Sequence, residues 1–301
     1  MTGIFVYSDQ VSLACELAGF GKSAGAETHV VTTDEAAATE LKSCGADVVH
    51  VLRGGDNPPP EAFAGAIAEL LKGAAAELFL VGATVRGREL AASVAGLLDW
   101  GMASDVSGLS YSGGTLAIER LVYGGAVVQR ETLPAPAVAT VPAGLCEPAN
   151  GSATVEIADV VPDSRVQVVG TEPIVRQGTS LAEAERIVSV GMGFNQREDL
   201  SLAEDLAAAL GAEVGCSRGV AEEREWLPAD RYIGISGLSV KPQLYLAVGL
   251  SGQVQHVVGI RETKVVVAVN KDEKAPIFKV CDYGIVGDLY TVLPQLTQAF
   301  N

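Results

Sequence analysis

The feature that narrows the fold most is an alternation. Short apolar runs are separated by alanine-rich stretches whose apolar residues recur at three- and four-residue spacing. GIFVYS (3–8), THVVTT (28–33), DVVHVL (47–52) and ELFLVGAT (77–84) read as buried strands. Helices are expected between and after them, at Val11 to Lys22, Ala36 to Ser43, PEAFAGAIAELLKGA (60–74) and GRELAASVAGLLD (87–99). Such alternation predicts a parallel sheet, because parallel neighbours need a crossover and the crossover helices cover both faces.

Past Ser107 the texture changes. LSYSGGTLAIERLVYGGAVVQRETLPAPAVATVPAG (109–144) is rich in Gly, Pro and Thr, and reads as strands forming a β-rich extension. Polar, β-prone residues follow from Val161 to Thr179, ending in Gln177-Gly178-Thr179, and Ser180 to Glu183 has capping-box spacing that predicts a short helix. A second α/β pattern then begins. Strands are expected at Arg186–Val190, Glu213–Cys216, Leu244–Val248 and Lys264–Val269, with helices at Asp199–Leu210 and Gly287–Phe300. The chain has 301 residues, about twice a common domain, so two domains fit: 1–180 and 181–301, with the boundary near Leu181. The expected fold is α/β. An N-terminal, parallel-sheet, Rossmann-like domain with a β-rich extension precedes a smaller C-terminal doubly wound α/β domain.

Charge limits the partners. A net charge of −16 argues against nucleic-acid binding, whose affinity comes from neutralising phosphates with Lys and Arg. It gives no reason to expect an anionic membrane surface either. No run of about 18 or more apolar residues occurs and the N-terminus lacks a basic-then-apolar leader, so membrane insertion is not expected and a cytoplasmic location is. The five cysteines, Cys15, Cys44, Cys146, Cys216 and Cys281, are scattered without metal-ligand spacing and are expected to be reduced. No metal site is expected.

Several motifs suggest a phosphate ligand and then weaken. Gly19-Phe20-Gly21-Lys22-Ser23 lacks the upstream glycine of a phosphate loop, having Glu16 there, and is expected to stop a helix. Gly191-Met192-Gly193 follows a strand and precedes a helix, but Gln196 stands where the third glycine of a dinucleotide turn belongs. A plain tight turn is the alternative there.

Ser251-Gly252-Gln253-Val254-Gln255-His256 is stronger. A glycine turn at a strand end exposes backbone N–H groups, which hold phosphates without basic side chains. His256 is otherwise an ordinary half-buried histidine. The next strand ends in Asn270, so Gly191, Ser251 and Asn270 are three strand ends expected to converge on one crevice. Asp288 either caps the last helix or contacts the ligand. His29 and His50 are expected to be structural, and no nucleophile–base pair is evident, so no catalytic residue is assigned.

The stretch LYLAVGLSGQVQHVVGIRETKVVVAVNKDEKAPIFKVCDYGIVGDLYTVLPQL (244–296) resembles the signature of the electron-transfer flavoprotein alpha subunit, including its nitrogen-fixation and carnitine-pathway branch. S-G-x-x-Q-H, V-N-K-D, A-P-I-F and D-Y-G-I-V-G-D-L occur in the family's order and spacing. LVGATVRGRELAASVAGLL, GGAVVQ and PAVATVPAG in the first domain are similar to it as well.

The resemblance implies an FAD-binding C-terminal domain and a beta-subunit partner. It implies that Ser217 and Arg218 match a pair whose arginine lies against the flavin ring, where a cation favours the reduced, anionic form. Ile233, Gly234, Ile235 and Ser236 match the motif whose hydroxyl meets the ring. Ser251 to His256 would hold the flavin and its linker, with His256 near a ring oxygen; Asn270, Asp288 and Leu289 match positions on the ADP part. Two departures bear on the flavin potential: Met192 where many members carry arginine, and Ile235 where glutamine is common. No nucleotide is expected in the first domain.

The function so implied is an electron carrier rather than a stand-alone enzyme. It would accept electrons from acyl-CoA or other flavin dehydrogenases and pass them to a quinone oxidoreductase, ferredoxin or flavodoxin. A sharper version is a flavin-based bifurcating complex with a second FAD on the beta subunit. Two rivals stand beside it: an NAD-dependent enzyme, since deoxyhypusine-synthase-like domains share the C-terminal architecture, and a non-redox nucleotide-binding regulatory module.

Overall fold

A computed structural model describes residues 3–55, 58–165, 167–170, 172 and 180–300. The chain divides into two compact units between residues 173 and 174. The stretch Gln177-Gly178-Thr179 lies outside the described residues.

In the first unit β1 (Gly3–Tyr7), α1 (Val11–Ser23), β2 (Glu27–Thr32), the single turn α2 (Ala38–Leu41), β3 (Val48–Arg53), α3 (Ala64–Gly73), β4 (Leu78–Gly82) and α4 (Val85–Leu98) alternate. There follow β5 (Gly101–Ala103), β6 (Gly108–Ser112), β7 (Thr115–Val122), β8 (Val127–Pro134), β9 (Ala137–Val141) and β10 (Thr154–Asp159). A seven-stranded parallel sheet runs in the order β10-β3-β2-β1-β4-β9-β5, and β6-β7-β8 form a separate antiparallel sheet. The period of two in β1 shows why both faces are covered. Ile4 and Val6 enter one core with Leu13 and Leu17 of α1, while Phe5 and Tyr7 enter the other with Ile67 of α3 and Leu90 of α4. Each large apolar side chain buried this way contributes about 1.5–3 kcal/mol.

Two local expectations fail. The helix expected over 36–43 shrinks to α2 because the Asp34 carboxylate takes the Ala36 amide at 2.8 Å, favouring a turn. Gly19 and Gly21 do not stop α1 but lie inside it. A Cβ on Gly19 would sit 2.0 Å from the Glu147 carbonyl oxygen and one on Gly21 2.4 Å from Thr28 Oγ1, so close packing requires these glycines. The chain instead turns at Gly25, with φ +68°.

The second unit contains β11 (Arg186–Val190), α5 (Ser201–Leu210), β12 (Glu213–Cys216), β13 (Leu244–Val248), the single turn α6 (Val254–Val257), β14 (Val265–Asn270), β15 (Tyr283–Val286) and α7 (Leu289–Phe300). Ser180 makes no side-chain cap, and Leu181–Glu183 form only a 3-10 turn. The unexpected β15 is a short edge strand. The parallel order β12-β11-β13-β14-β15 reverses direction between β11 and β13. One face packs on α5 and α7 through Leu206 and Leu293. The other is covered by turns carrying Leu181, Ile233, Val240, Ile260 and Ile277.

Candidate functional site

In an open parallel sheet, the helices leaving two neighbouring strands at the point of reversal go to opposite faces and leave a crevice at the strands' carboxyl ends. In the second unit that point lies beyond Val190 and Val248. A cavity of about 630 Å³ opens there, within the range of small-ligand sites. A second, of about 220 Å³, shares Gly193, Gly249 and Asn270 with it, so the two form one elongated groove.

Glycines let the strand ends meet. A Cβ on Gly191 would stand 2.3 Å from the Gly249 carbonyl oxygen, and one on Gly193 2.8 Å from Gly249 Cα. Gly249 itself has φ +60°. The incomplete dinucleotide motif is thus a close-packed turn of one strand end against the next. Beyond it Gln196 and Asp199 form a capping box that the sequence reading missed, and the Tyr290 hydroxyl donates to Asp199. That bond holds the Asp199 carboxyl below the usual carboxylate range.

After β13 the chain turns sharply at Gly252, with φ +79°. A Cβ there would meet Ile277 N at 2.3 Å, and the Ile277 amide donates to the Ser251 carbonyl at 3.0 Å. Among the described residues, none of the backbone N–H groups of Gly252 through Gln255 donates to the protein. Ser251, Gly252, Gln253 and Gln255 line the larger cavity. Asn270 braces this turn from β14: its Nδ2 donates to the Leu250 carbonyl at 2.8 Å and its Oδ1 accepts from Asp272 N at 3.0 Å.

Two buried polar atoms at the larger cavity lack partners, Ser217 Oγ and His256 Nδ1. His256 is 8% exposed, and burial drives its pKa down to about 4, with the nearby Ile233 carbonyl acting the other way. It is therefore neutral at pH 7. Its Nε2 lies 2.7 Å from the buried Tyr245 hydroxyl. Arg218, across the cavity, is exposed and donates from Nε to Glu222 Oε2 at 2.6 Å. The Ser236 and Tyr232 hydroxyls are 3.3 Å apart.

The larger cavity thus gathers Ser217, Arg218, Ile235, Ser236, Ser251, Gly252, Gln253, Gln255, His256 and Asn270. Asp288 and Leu289 line the smaller one beside Asn270 and Tyr290. Asp288 Oδ1 also accepts from Tyr290 N at 3.1 Å, so capping and a place at the groove coexist. Ile233 and Gly234 are buried behind the cavity wall, and Val254 is exposed outside it.

Met192 and Glu223 join the lining, the first unassigned in the sequence reading and the second unsuspected; nothing in its spacing marked Glu223. Tyr245 was missed because mid-strand tyrosines are usually core residues. Among the described residues there is no group of three or more His, Cys, Asp or Glu side chains able to hold a metal, and no helix long and apolar enough to cross a membrane.

A groove with many backbone donors, few charges and no nucleophile–base pair suits holding a polar, extended molecule. Known proteins agree with that kind of site. The family model described as electron transfer flavoprotein FAD-binding domain matches residues 180–261, and that described as electron transfer flavoprotein domain matches residues 11–165. The chain is 38% identical over 304 residues to Protein FixB of Escherichia coli O1:K1 / APEC, covering 98% of this chain and 97% of that protein. It is 37% identical over 306 residues to Protein FixB of Salmonella typhimurium strain LT2, covering 99% and 98%. YdiR of Escherichia coli strain K12, named as a candidate electron transfer flavoprotein subunit, is 35% identical over 303 residues, covering 98% and 97%. Matches of this extent reach both units and nearly every strand end of the groove, and the chain belongs to the electron transfer flavoprotein family, among its alpha-type, FixB-like members.

Proposed function

We propose that this chain is the FAD-carrying subunit of a heterodimeric electron-transfer flavoprotein. Its domain 181–301 would hold the flavin, and a beta subunit would pair with it. The complex would take electrons from an acyl-CoA or other flavin dehydrogenase and deliver them to a quinone oxidoreductase, ferredoxin or flavodoxin, in the cytoplasm. The observation that carries the reading is the groove at the sheet's reversal point, with the unused amides of Gly252, Gln253 and Gln255 along it.

The residues fit FAD. A dinucleotide is long, and the groove extends from Ser217 and Ser236 to Asp288 and Leu289. Its pyrophosphate is anionic, and free backbone N–H groups bind anions without basic side chains. Its ring system has carbonyl oxygens, which suit the unpartnered Ser217 hydroxyl and the neutral His256 ring. Bound FAD supplies the one- and two-electron chemistry that no side chain here can perform.

The chain's own residues would bind and tune it. Gly252 through Gln255 would hold the pyrophosphate, and Asn270 would keep their turn in place. Ser217, Ser236 and His256 would offer hydrogen bonds to the ring system. Arg218 would supply positive charge near it, reduced by its pairing with Glu222. Lys271 and Tyr290 stand with Asp288 and Leu289 at the smaller cavity, where the adenosine end would lie.

The test is the visible spectrum of the chain co-purified with a co-expressed beta-type partner. Flavin absorbance, with FAD released on denaturation, is the expected result. A complex that stays colourless after incubation with FAD would overturn the reading. Counting flavins per heterodimer separates a simple carrier, with one, from a bifurcating complex, with two.

A further inference from the structure

Tyr245 is completely buried in β13, and its hydroxyl is the only group bonded to His256 Nε2 among the described residues. The two rings meet at 52° with centroids 6.1 Å apart, which leaves the ring plane little freedom. A hydroxyl facing a ring nitrogen can donate or accept, so this bond alone does not place the hydrogen. Burial decides it. The Tyr245 hydroxyl meets no other hydrogen-bond partner among the described residues, so accepting from Nε2 would leave its own buried hydrogen unused, whereas donating to Nε2 uses it and leaves the ring hydrogen on Nδ1.

His256 Nδ1 is buried without a hydrogen-bond partner in the protein, on a residue that lines the larger cavity, so its hydrogen is available to a ligand there. No charged side chain is among the groups that shift the His256 ring.

We propose that Tyr245 is a positioning residue that holds His256 as the neutral Nδ1–H tautomer, so that the ring offers the cavity a hydrogen-bond donor for an uncharged carbonyl oxygen and not a cation for a phosphate. This rests on the flavin reading above, and it assigns His256 to a ring carbonyl of the flavin. It also differs from a histidine that stabilises the reduced ring by its own positive charge. Here the charge stabilisation falls to Arg218, and the histidine contributes direction.

The test is ¹⁵N NMR of the full chain labelled at its histidines, before and after adding FAD, with flavin uptake followed separately by absorbance. The expected spectrum shows His256 neutral, with the hydrogen on Nδ1, from pH 8 to pH 6. In Tyr245→Phe both tautomers are expected, and the affinity for FAD falls several-fold. A cationic or Nε2–H His256 in the unsubstituted chain overturns the proposal, as does an unchanged tautomer in Tyr245→Phe. Should that variant fail to fold, the unsubstituted chain's tautomer still decides. Flavin uptake with the wrong tautomer sinks this proposal alone, whereas the stated tautomer without flavin uptake sinks the cofactor reading.

Discussion

Arg218 and Glu222 are tied to each other, Nε to Oε2 at 2.6 Å, four residues apart where Arg218 leads into a short π-helical segment, Gly219–Glu223. The carboxylate raises the proton affinity of the guanidinium, first through the hydrogen bond and then through its charge. It also cancels part of the field that Arg218 projects into the cavity. Glu222→Gln is therefore expected to raise the potential of bound FAD by tens of millivolts, and Arg218→Ala to lower it. Spectroscopic redox titration of the two variants checks this. Shifts in the same direction would show that the pair acts through local structure and not through charge.

Ser217 Oγ is buried without a partner, which costs free energy unless a ligand uses the hydroxyl. Ser217→Ala is expected to leave the flavin-free chain as stable as before or slightly more so. It should weaken FAD binding roughly 2- to 12-fold, the worth of one ordinary hydrogen bond. Thermal unfolding of the apo chain and a fluorescence titration with FAD measure the two effects. Equal affinity in both proteins would remove Ser217 from the binding set.

Glycine substitutions separate the groove from the scaffold. Gly252 combines φ +79° with a Cβ position 2.3 Å from Ile277 N, so Gly252→Ala strains the turn and displaces the backbone behind it. A loss of at least about 1–3 kcal/mol is expected, together with loss of FAD binding. Gly96 in α4 has open space where a Cβ would go, and Gly96→Ala is expected to add about 0.5–1 kcal/mol. Denaturant unfolding of both variants decides, and a stabilised Gly252→Ala would contradict the geometry of the site.

The parts of this fold legible in the sequence are those governed by local periodicity. Strands Arg186–Val190 and Leu244–Val248 follow from their apolar runs, and the convergence of Ser251 and Asn270 on one cavity follows from the rule that parallel strands present the same ends together; from the first strand end it is Gly193, not Gly191, that lines the cavity, since Gly191 packs against Gly249. The illegible parts depend on partners distant in sequence. Nothing near Gly19 announces the Glu147 carbonyl against it, and nothing near Tyr245 announces His256 eleven residues on, because the pairing arises only when α6 folds back over β13. Arg218 was legible as a residue of the site, but its engagement by Glu222 was not, since a helical turn had to form after it.

All three histidines resist protonation in the folded chain, and this gives stability a predictable pH dependence. His29 and His50 stack on each other with Nδ1 and Nε2 3.0 Å apart, and Phe5 stacks on His29. Burial lowers both pKa values, His29 lowers that of His50 further, and Glu27, Asp47 and Glu156 oppose the effect. His256 is lowered to about 4 by burial. Because the unfolded chain binds these protons more readily, stability is complete above the unfolded histidine pKa of about 6.5 and is lost as pH falls below it. From His256 alone the second unit should lose roughly 2 kcal/mol between pH 8 and pH 5. His256→Gln is expected to flatten that dependence in the second unit while leaving the first unit's own decline in place. Urea unfolding of the apo chain across this range is the measurement, and a stability that stays level down to pH 5 would mean that these rings are not neutral and buried in solution.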